Sequence, residues 1–406
     1  MRILVQKFGG TSVSTVENRR LAAEKISHAI EEGFRPVVVV SAMGRKGQPY
    51  ATDTLIGVAK DSHSLLSRRE LDMMMGCGEI ISSVVMASTL QEFGIDAVVL
   101  TGGQAGIITD NQYGNAKILR INPSRIKKEL AAGKVPVVCG FQGMTVEGDL
   151  TTLGRGGSDT TASALGAALP AEMIEIYTDV DGIMTADPRV APKAHILEMI
   201  SYAEVSQLAQ QGAKVIHPRA VEFAMQKNIP VVVKSTFSDA PGTLITTAAQ
   251  VAESSDAPIS DRIATGVTYV KDIIQIKAEL SADNAHADSS RIFKLLANAG
   301  INVDLINVLP RQLLFTVQED DAQETKQCLG AAGYRLTTLE KCAKVSVVGG
   351  GMGDVPGVMA SFVEALAAKE IPLLQTGDSQ TSISALIDGK HLEIAVSALH
   401  SQFGLD

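Results

Sequence analysis

The chain has 406 residues, 45% of them hydrophobic and 20% charged, with aromatics at only 4% and no tryptophan. That length predicts two or three domains, and the composition is that of a soluble globular protein whose cores are built from aliphatic side chains. The formal net charge of −9 argues against nucleic acid or an anionic membrane as the main partner, so an anionic substrate is expected to be held by a few well-placed cations. The four cysteines (Cys77, Cys139, Cys328 and Cys342) are scattered, with no CxxC and no histidine at ligand spacing. They are expected to be small buried apolar residues in a reducing compartment, neither a disulfide framework nor a zinc site, and no metal ligand is assigned. MRILVQKFGG lacks the apolar stretch of a signal peptide, and runs such as PVVVV (36–40) are too short to span a membrane. The expected location is the cytoplasm.

Along the chain, RILVQKF (2–8) reads as a strand, followed by a helical ENRRLAAEKISHAIEEG (17–33) with Ala22, Ile26, Ala29 and Ile30 on one face. Strands are expected again at PVVVVSAM (36–43), DAVVLTGG (96–103), VPVVCGFQG (135–143), MIEIYTDVDG (173–182) and IPVVVKST (229–236). Continuous rather than alternating apolar runs predict strands buried on both faces, hence an α/β fold with a mainly parallel open sheet covered by helices. These strands end in small or polar groups: Lys7-Phe8-Gly9-Gly10, Ser41-Ala42, Thr101-Gly102, Gly140-Phe141 and Thr178-Asp179. Ligands of open α/β sheets bind beyond the carboxyl ends of the strands, so five such ends predict one large site.

The catalytic region is expected over 1–247 and an irregular linker over 248–262. A weak internal repeat follows: IFKLLANAGINVDL (292–305) aligns with FVEALAAKEIPLLQ (362–375) at an offset of 70. Two α+β βαββαβ modules are therefore expected, at 263–340 and 341–406.

Three segments carry candidate chemistry. In KFGGTSV (7–13), Gly9 and Gly10 let the backbone approach a phosphate, Thr11 and Ser12 open the next helix, and Lys7 reaches a phosphate oxygen as a point charge. In TTLGRGGSDTTA (151–162), Gly156, Gly157 and Ser158 form a turn, and Arg155 offers a fork that suits a carboxylate. Asp159 either caps the following helix, holds Lys7 in position or orients an attacking carboxylate. In YTDVDGIMTADPR (177–189), Thr178 and Asp179 could contact a base or ribose and Arg189 a phosphate, although ADPR is also an ordinary turn. Glu79, read as beginning a helix in GCGEIISS, could accept from an amino group; Lys214 is a further lone cation. Positioning plus positive charge is what phosphoryl transfer requires.

With these segments, SAMGRKGQPYATD (41–53), VVLTGGQAG (98–106) and the paired C-terminal modules, the chain closely resembles the aspartokinases of the amino-acid kinase family. In appearance it is nearest to the diaminopimelate-sensitive members from Gram-positive bacteria. The resemblance implies transfer of the ATP γ-phosphate to the β-carboxylate of L-aspartate, with Mg²⁺ arriving on ATP. It implies that Lys7, Asp159 and Lys214 are catalytic. Lys7, Phe8, Gly9, Gly10, Thr11, Thr178, Asp179, Met184, Asp187, Arg189 and Lys214 would contact the nucleotide. Ser41, Thr52, Glu79, Arg155, Gly156, Gly157 and Ser158 would hold aspartate. It also implies that the two C-terminal modules are ACT domains that pair chains into a homodimer and bind an amino-acid effector: lysine or meso-diaminopimelate, with threonine third. The second module has the Asp354-Val-Pro-Gly357 turn of such domains; the first reads SADNAHADSS (281–290) instead. Asn284, Asp288, Asn302 and Asp304 stand at plausible effector positions, where loop capping would also explain them. A different amino-acid kinase on the same scaffold, and a non-catalytic amino-acid sensor, are the competing expectations.

Overall fold

The computed structural model describes residues 1–61, 66–213, 215–254, 263–281, 284–352 and 355–406. The chain divides into two compact units. The first comprises Met1–Ile183, Ile196–Ala209 and Lys214–Asp256; the second comprises Met184–His195, Gln210–Ala213 and Ala257–Asp406.

The first unit is built on an eight-stranded sheet in the order Met199–Ser201, Thr243–Thr246, Val231–Ser235, Met173–Thr178, Ile3–Phe8, Arg35–Val40, Val135–Cys139, Ala97–Leu100. Every neighbouring pair is parallel except Val231–Ser235 with Thr243–Thr246. The valine runs explain this arrangement: Val37 to Val40 and Val137 to Cys139 are wholly buried, as strands covered on both faces must be. Register aligns the strand ends. Phe8 pairs with Val40 on one side and Tyr177 on the other, and Val40 pairs with Cys139. Gly9, Ser41, Gly140 and Thr178 therefore emerge together at one edge. A small four-stranded sheet (Ile118–Ile121, Ile107–Thr109, Gln142–Met144, Leu150–Thr152) follows from strands too short to show periodicity in the sequence.

The helix Val16–Glu31 starts one residue before the expected one, because Thr15 caps it by accepting from Asn18 N at 3.2 Å. Thr11 and Ser12 do not open it; they lie in a single 3₁₀ turn, Thr11–Val13. The long helix Arg68–Glu92 departs further from expectation: Glu79 sits near its middle, not at its start. Gly76 and Gly78 are interior residues, needed for close packing. A Cβ on Gly76 would lie 2.9 Å from Leu150 Cδ2, and one on Gly78 only 2.8 Å from Ala42 Cβ. By length and composition this helix could cross a membrane, unlike the short runs weighed in the sequence, but its Met86, Ala87 and Leu90 are buried in the core of the first unit.

The second unit carries a six-stranded antiparallel sheet in the order Asp304–Leu309, Gln312–Gln318, Gly266–Glu279, Leu336–Val348, Ser382–Asp388, Gln375–Asp378. Core positions repeat at the offset of 70: Ile292 and Phe362, Leu296 and Leu366, Ile301 and Ile371, Val317 and Ile387 are all buried. One long strand serves two cores. Ala264 and Val267 pack with residues 343–405, together with Ala186, Val190 and Ala191, whereas Ile274 to Ala278 pack with the helix Ala285–Asn298. The reason is length. The 14-residue strand Gly266–Glu279 pairs through Gly266–Val270 with Lys344–Val348, shifts register, then pairs through Ile273–Glu279 with Gln312–Gln318. Asp272 at φ +57° and Lys341 at φ +59° mark the shift. All four cysteines are free; Cys139 and Cys342 are buried as expected, but Cys77 is exposed and Cys328 half-buried.

Candidate active site at the strand ends of the first unit

Lys7 lies one residue before the end of the strand Ile3–Phe8 and is 8% exposed. Its ammonium stands 2.6 Å from Asp159 Oδ1. Asp159 is in the first turn of the helix Gly157–Ala168, whose N-cap is Gly156 at φ +69° without a side-chain cap. Asp159 is therefore not the cap. It holds Lys7, and the positive end of the helix lies behind it.

The glycines of this turn are demanded by neighbours. A Cβ on Gly156 would fall 2.3 Å from His217 Cβ, and one on Gly157 2.7 Å from Phe141 Cδ2. Gly140 is in the same position: its Cβ would meet Ser158 Oγ at 2.8 Å. Ser158 is buried against that strand end, while Thr161 Oγ1 accepts from Phe141 N at 3.1 Å. Arg155 is exposed and makes no ion pair or hydrogen bond among the described residues, so its fork is free.

Beside Lys7, Gly10 is pressed against the next strand's exit: a Cβ there would lie 2.7 Å from Ala42 O and 2.8 Å from Gly44 O. Gly44 N donates to Gly10 O at 3.0 Å, and Ser41 N to Phe8 O at 3.1 Å. Gly9, by contrast, is uncrowded: Lys7 Nζ and Tyr177 O would lie at ordinary contact, 3.5 and 3.6 Å from where a Cβ would be. Phe8 contributes backbone only; its ring is wholly buried and stacks on Tyr177 at 4.7 Å. Ser12 is likewise buried, accepting from Thr236 Oγ1 at 2.7 Å.

Glu79 reaches the same edge from its helix. It is 2% exposed; Oε1 accepts from Ala42 N at 3.1 Å and Oε2 has no partner among the described residues. Burial pushes its carboxyl up to about 8. Ser41 and Thr52 are half-buried, Thr52 opening the helix Thr52–Asp61. Thr178 ends its strand and donates to Asp179 Oδ1 at 3.2 Å.

Met184, Asp187 and Arg189 belong to the second unit. There Asp187 accepts from Arg189 Nη2 at 2.7 Å and from the Tyr269 hydroxyl at 2.8 Å, and chiefly the arginine holds its carboxyl down at about 2. Lys214 lies outside the described residues, as does Asp354. Two of the effector candidates, Asn284 and Asp288, share Ser281 as a partner. Asp288 accepts from Ser281 N at 2.8 Å, which holds its carboxyl below the usual range. Asp304 pairs with the buried Lys344, Asn302 is exposed, and Asn284 N donates to Ser281 Oγ at 3.2 Å. Asp288 alone of the four lines a cavity of about 370 Å³ with Arg291 and Tyr334.

Three residues were missed. Arg45 pairs with Asp179 and donates from Nε to Thr11 Oγ1 at 3.4 Å, spanning the phosphate turn; a lone arginine among glycines in SAMGRKG was the available signal. Asp72, wholly buried, accepts from Gly114 N at 3.0 Å and from Thr152 N and Oγ1 at 2.8 Å. It ties the segment before Arg155 to the long helix, and nothing local marks it. His217 buttresses Gly156, and burial lowers its pKa.

The edge thus combines a paired lysine, an uncrowded glycine turn, a free guanidinium and a carboxyl with one unfilled acceptor. Among the described residues no group of three or more His, Cys, Asp or Glu is arranged to hold a metal ion. Comparison with known proteins gives the family. Residues 2–235 match the amino acid kinase family and residues 338–401 the ACT domain. Aspartokinase 1 of Bacillus subtilis (strain 168) is 49% identical over 405 residues, covering 100% of both chains. Among solved structures, E. coli aspartokinase III in complex with aspartate and ADP superposes with a TM-score of 0.80 at 25% identity, covering 99% of each chain. The same enzyme in complex with lysine and aspartate gives 0.77 at 25%, again with 99% of each chain covered. Matched over more than half its length by one family and end to end by one relative, the chain belongs to the aspartokinases of the amino acid kinase family.

Proposed function

We propose that the strand-end site phosphorylates the side-chain carboxylate of L-aspartate at the expense of ATP. The observation that carries this is the Lys7–Asp159 pair at 2.6 Å beside the uncrowded Gly9 turn, with Arg155 free nearby in sequence. Lys7 bonds a γ-phosphate oxygen, and the amides after Gly9 hold the neighbouring phosphate. Thr178 and Asp179 border the nucleoside. Arg155 forks onto the α-carboxylate of aspartate, Ser158 and the Gly156-Gly157 turn border it, and Glu79 accepts from its ammonium through the vacant Oε2. A β-carboxylate oxygen then forms the new bond to the γ-phosphorus as the bond to the ADP oxygen breaks. The attacking carboxylate is already ionised, so no general base is needed. Lys7 neutralises charge gathering on the transferred group, and Asp159 keeps Lys7 aimed. Mg²⁺ carried on ATP, held by phosphates and water, would supply further charge neutralisation.

The ACT match and the lysine complex of a relative support an amino-acid effector, lysine or meso-diaminopimelate, acting at the C-terminal modules. The chain would act in the cytoplasm as a homodimer. Trapping the acyl phosphate with hydroxylamine tests both parts. Turnover with L-aspartate and ATP-Mg²⁺, suppressed by one of lysine, meso-diaminopimelate or threonine, is the expected result. Turnover indifferent to all three removes the effector; no turnover in folded protein overturns the kinase reading.

A further inference from the structure

Side chains alternate along a strand, so Gln6 points to the opposite face of the sheet from Lys7. On that face the helix Val16–Glu31, the strands carrying Gln6, Glu175 and Lys234, and the loop 236–242 enclose a cavity of about 700 Å³. This is the size of a small-molecule site. A buried polar chain lines it. Glu175, 6% exposed, accepts from Lys234 Nζ at 2.8 Å on Oε1, and from Gln6 Nε2 at 2.9 Å and the Tyr177 hydroxyl at 3.1 Å on Oε2. Gln6 is wholly buried, and its Oε1 has no donor among the described residues. The amide cannot simply turn over, because that would set its carbonyl oxygen against the Glu175 carboxylate. A buried acceptor without a donor is costly, and such groups are nearly always satisfied.

The other groups narrow what could satisfy it. Both lysines of the lining are already paired, Lys234 with Glu175 and Lys25 with Asp239; Glu32 has His28 at 3.5 Å, and Glu24 has no ion pair among the described residues, so the lining keeps more carboxylates than lysines. Leu4, Phe34 and Met173 supply an apolar wall. We propose that this cavity is a second ligand site, separate from the catalytic edge, for an aliphatic primary ammonium. Its N–H donates to Gln6 Oε1, its charge is balanced by the surplus carboxylates, and its carbon chain lies over Leu4, Phe34 and Met173.

Calorimetric titration of the full chain with n-butylammonium, n-butanol and tetramethylammonium separates the two requirements, since the alcohol lacks the charge and the quaternary ion lacks the N–H. Saturable binding of n-butylammonium, about tenfold or more tighter than either control, is expected. It should weaken at least about tenfold in Gln6→Met, which keeps the shape and removes the acceptor. Ala240→Trp, in the half-exposed loop of the lining, should block binding without touching the buried chain, and decides the matter should Gln6→Met misfold. Lys7→Ala should leave binding intact. No saturable binding, equal binding of the alcohol, survival in Ala240→Trp, or loss in Lys7→Ala overturns the proposal.

Discussion

Asp159 and Glu79 are both acidic residues beside glycines, yet they came to the strand edge by different physics. Around Asp159 the glycines make a turn: Gly156 takes a left-handed conformation, a helix begins, and the carboxylate meets Lys7. Around Glu79 the glycines make no turn at all. Gly76 and Gly78 stay helical and let Leu150 and Ala42 pack closely, which buries Glu79 with one oxygen unfilled. A carboxylate with a cation at 2.6 Å is held ready as a charge, whereas one buried without a cation has its pKa raised and awaits a cationic partner. Glycine next to an acid therefore has no single meaning; what the missing Cβ makes room for decides it.

The sharpest way to break this contrast is to remove the cation from the first carboxylate. Lys7→Ala is expected to cut the aspartate-dependent turnover by about 10²–10³-fold, with the protein still folded by circular dichroism. A near-normal rate would take Lys7 out of catalysis.

Next is the partnerless acid. Because the folded protein holds the Glu79 proton up to about 8 and an unfolded chain releases it near 4.5, its stabilising effect is complete below 4.5 and lost as pH rises through 8. Binding of an ammonium requires the ionised form, so aspartate affinity should rise between pH 6 and 8 by up to about tenfold per pH unit. Glu79→Gln should weaken aspartate binding by about 10–100-fold at pH 8 and flatten both the affinity and the stability profiles, read by calorimetry and denaturant melts. Unchanged slopes would show that Glu79 ionises freely.

Gly10→Ala places a Cβ 2.7 Å from a backbone oxygen, so about 1–3 kcal/mol of stability should be lost in urea titration. Gly9→Ala, with room around it, should cost less stability while raising KM for ATP. The smallest effect is expected at the free fork: Arg155→Lys keeps the charge and loses bidentate geometry, raising KM for aspartate about tenfold with kcat little changed.

Much of the edge was legible because strands and turns leave local marks. KFGG, Ser41, Gly140 and Thr178 each followed a buried aliphatic run, and parallel register aligned their exits. Phe8 illustrates the limit. Its position in the motif is next to the phosphate turn, but stacking on Tyr177 keeps its ring in the core. Arg45 was visible but unassigned, since its partners Thr11 and Asp179 lie 34 and 134 residues away. The sharing of one strand between two cores was hidden for a similar reason: nothing local in Gly266–Glu279 shows that its two halves serve different cores.

What the sequence determined by itself is the set of short-range commitments: valine runs that must be buried on both faces, glycines at turns, and a repeat at offset 70 that places matching core residues in two modules. What tertiary structure alone decided is which distant groups meet. Lys7 finds Asp159 across 152 positions, Glu79 is buried by a neighbour its glycines admit, and the buried chain on the opposite face joins Gln6 to Glu175. Periodicity and propensity act over a few residues, whereas charge pairing and desolvation act over a few ångströms, and only the folded chain converts one distance into the other.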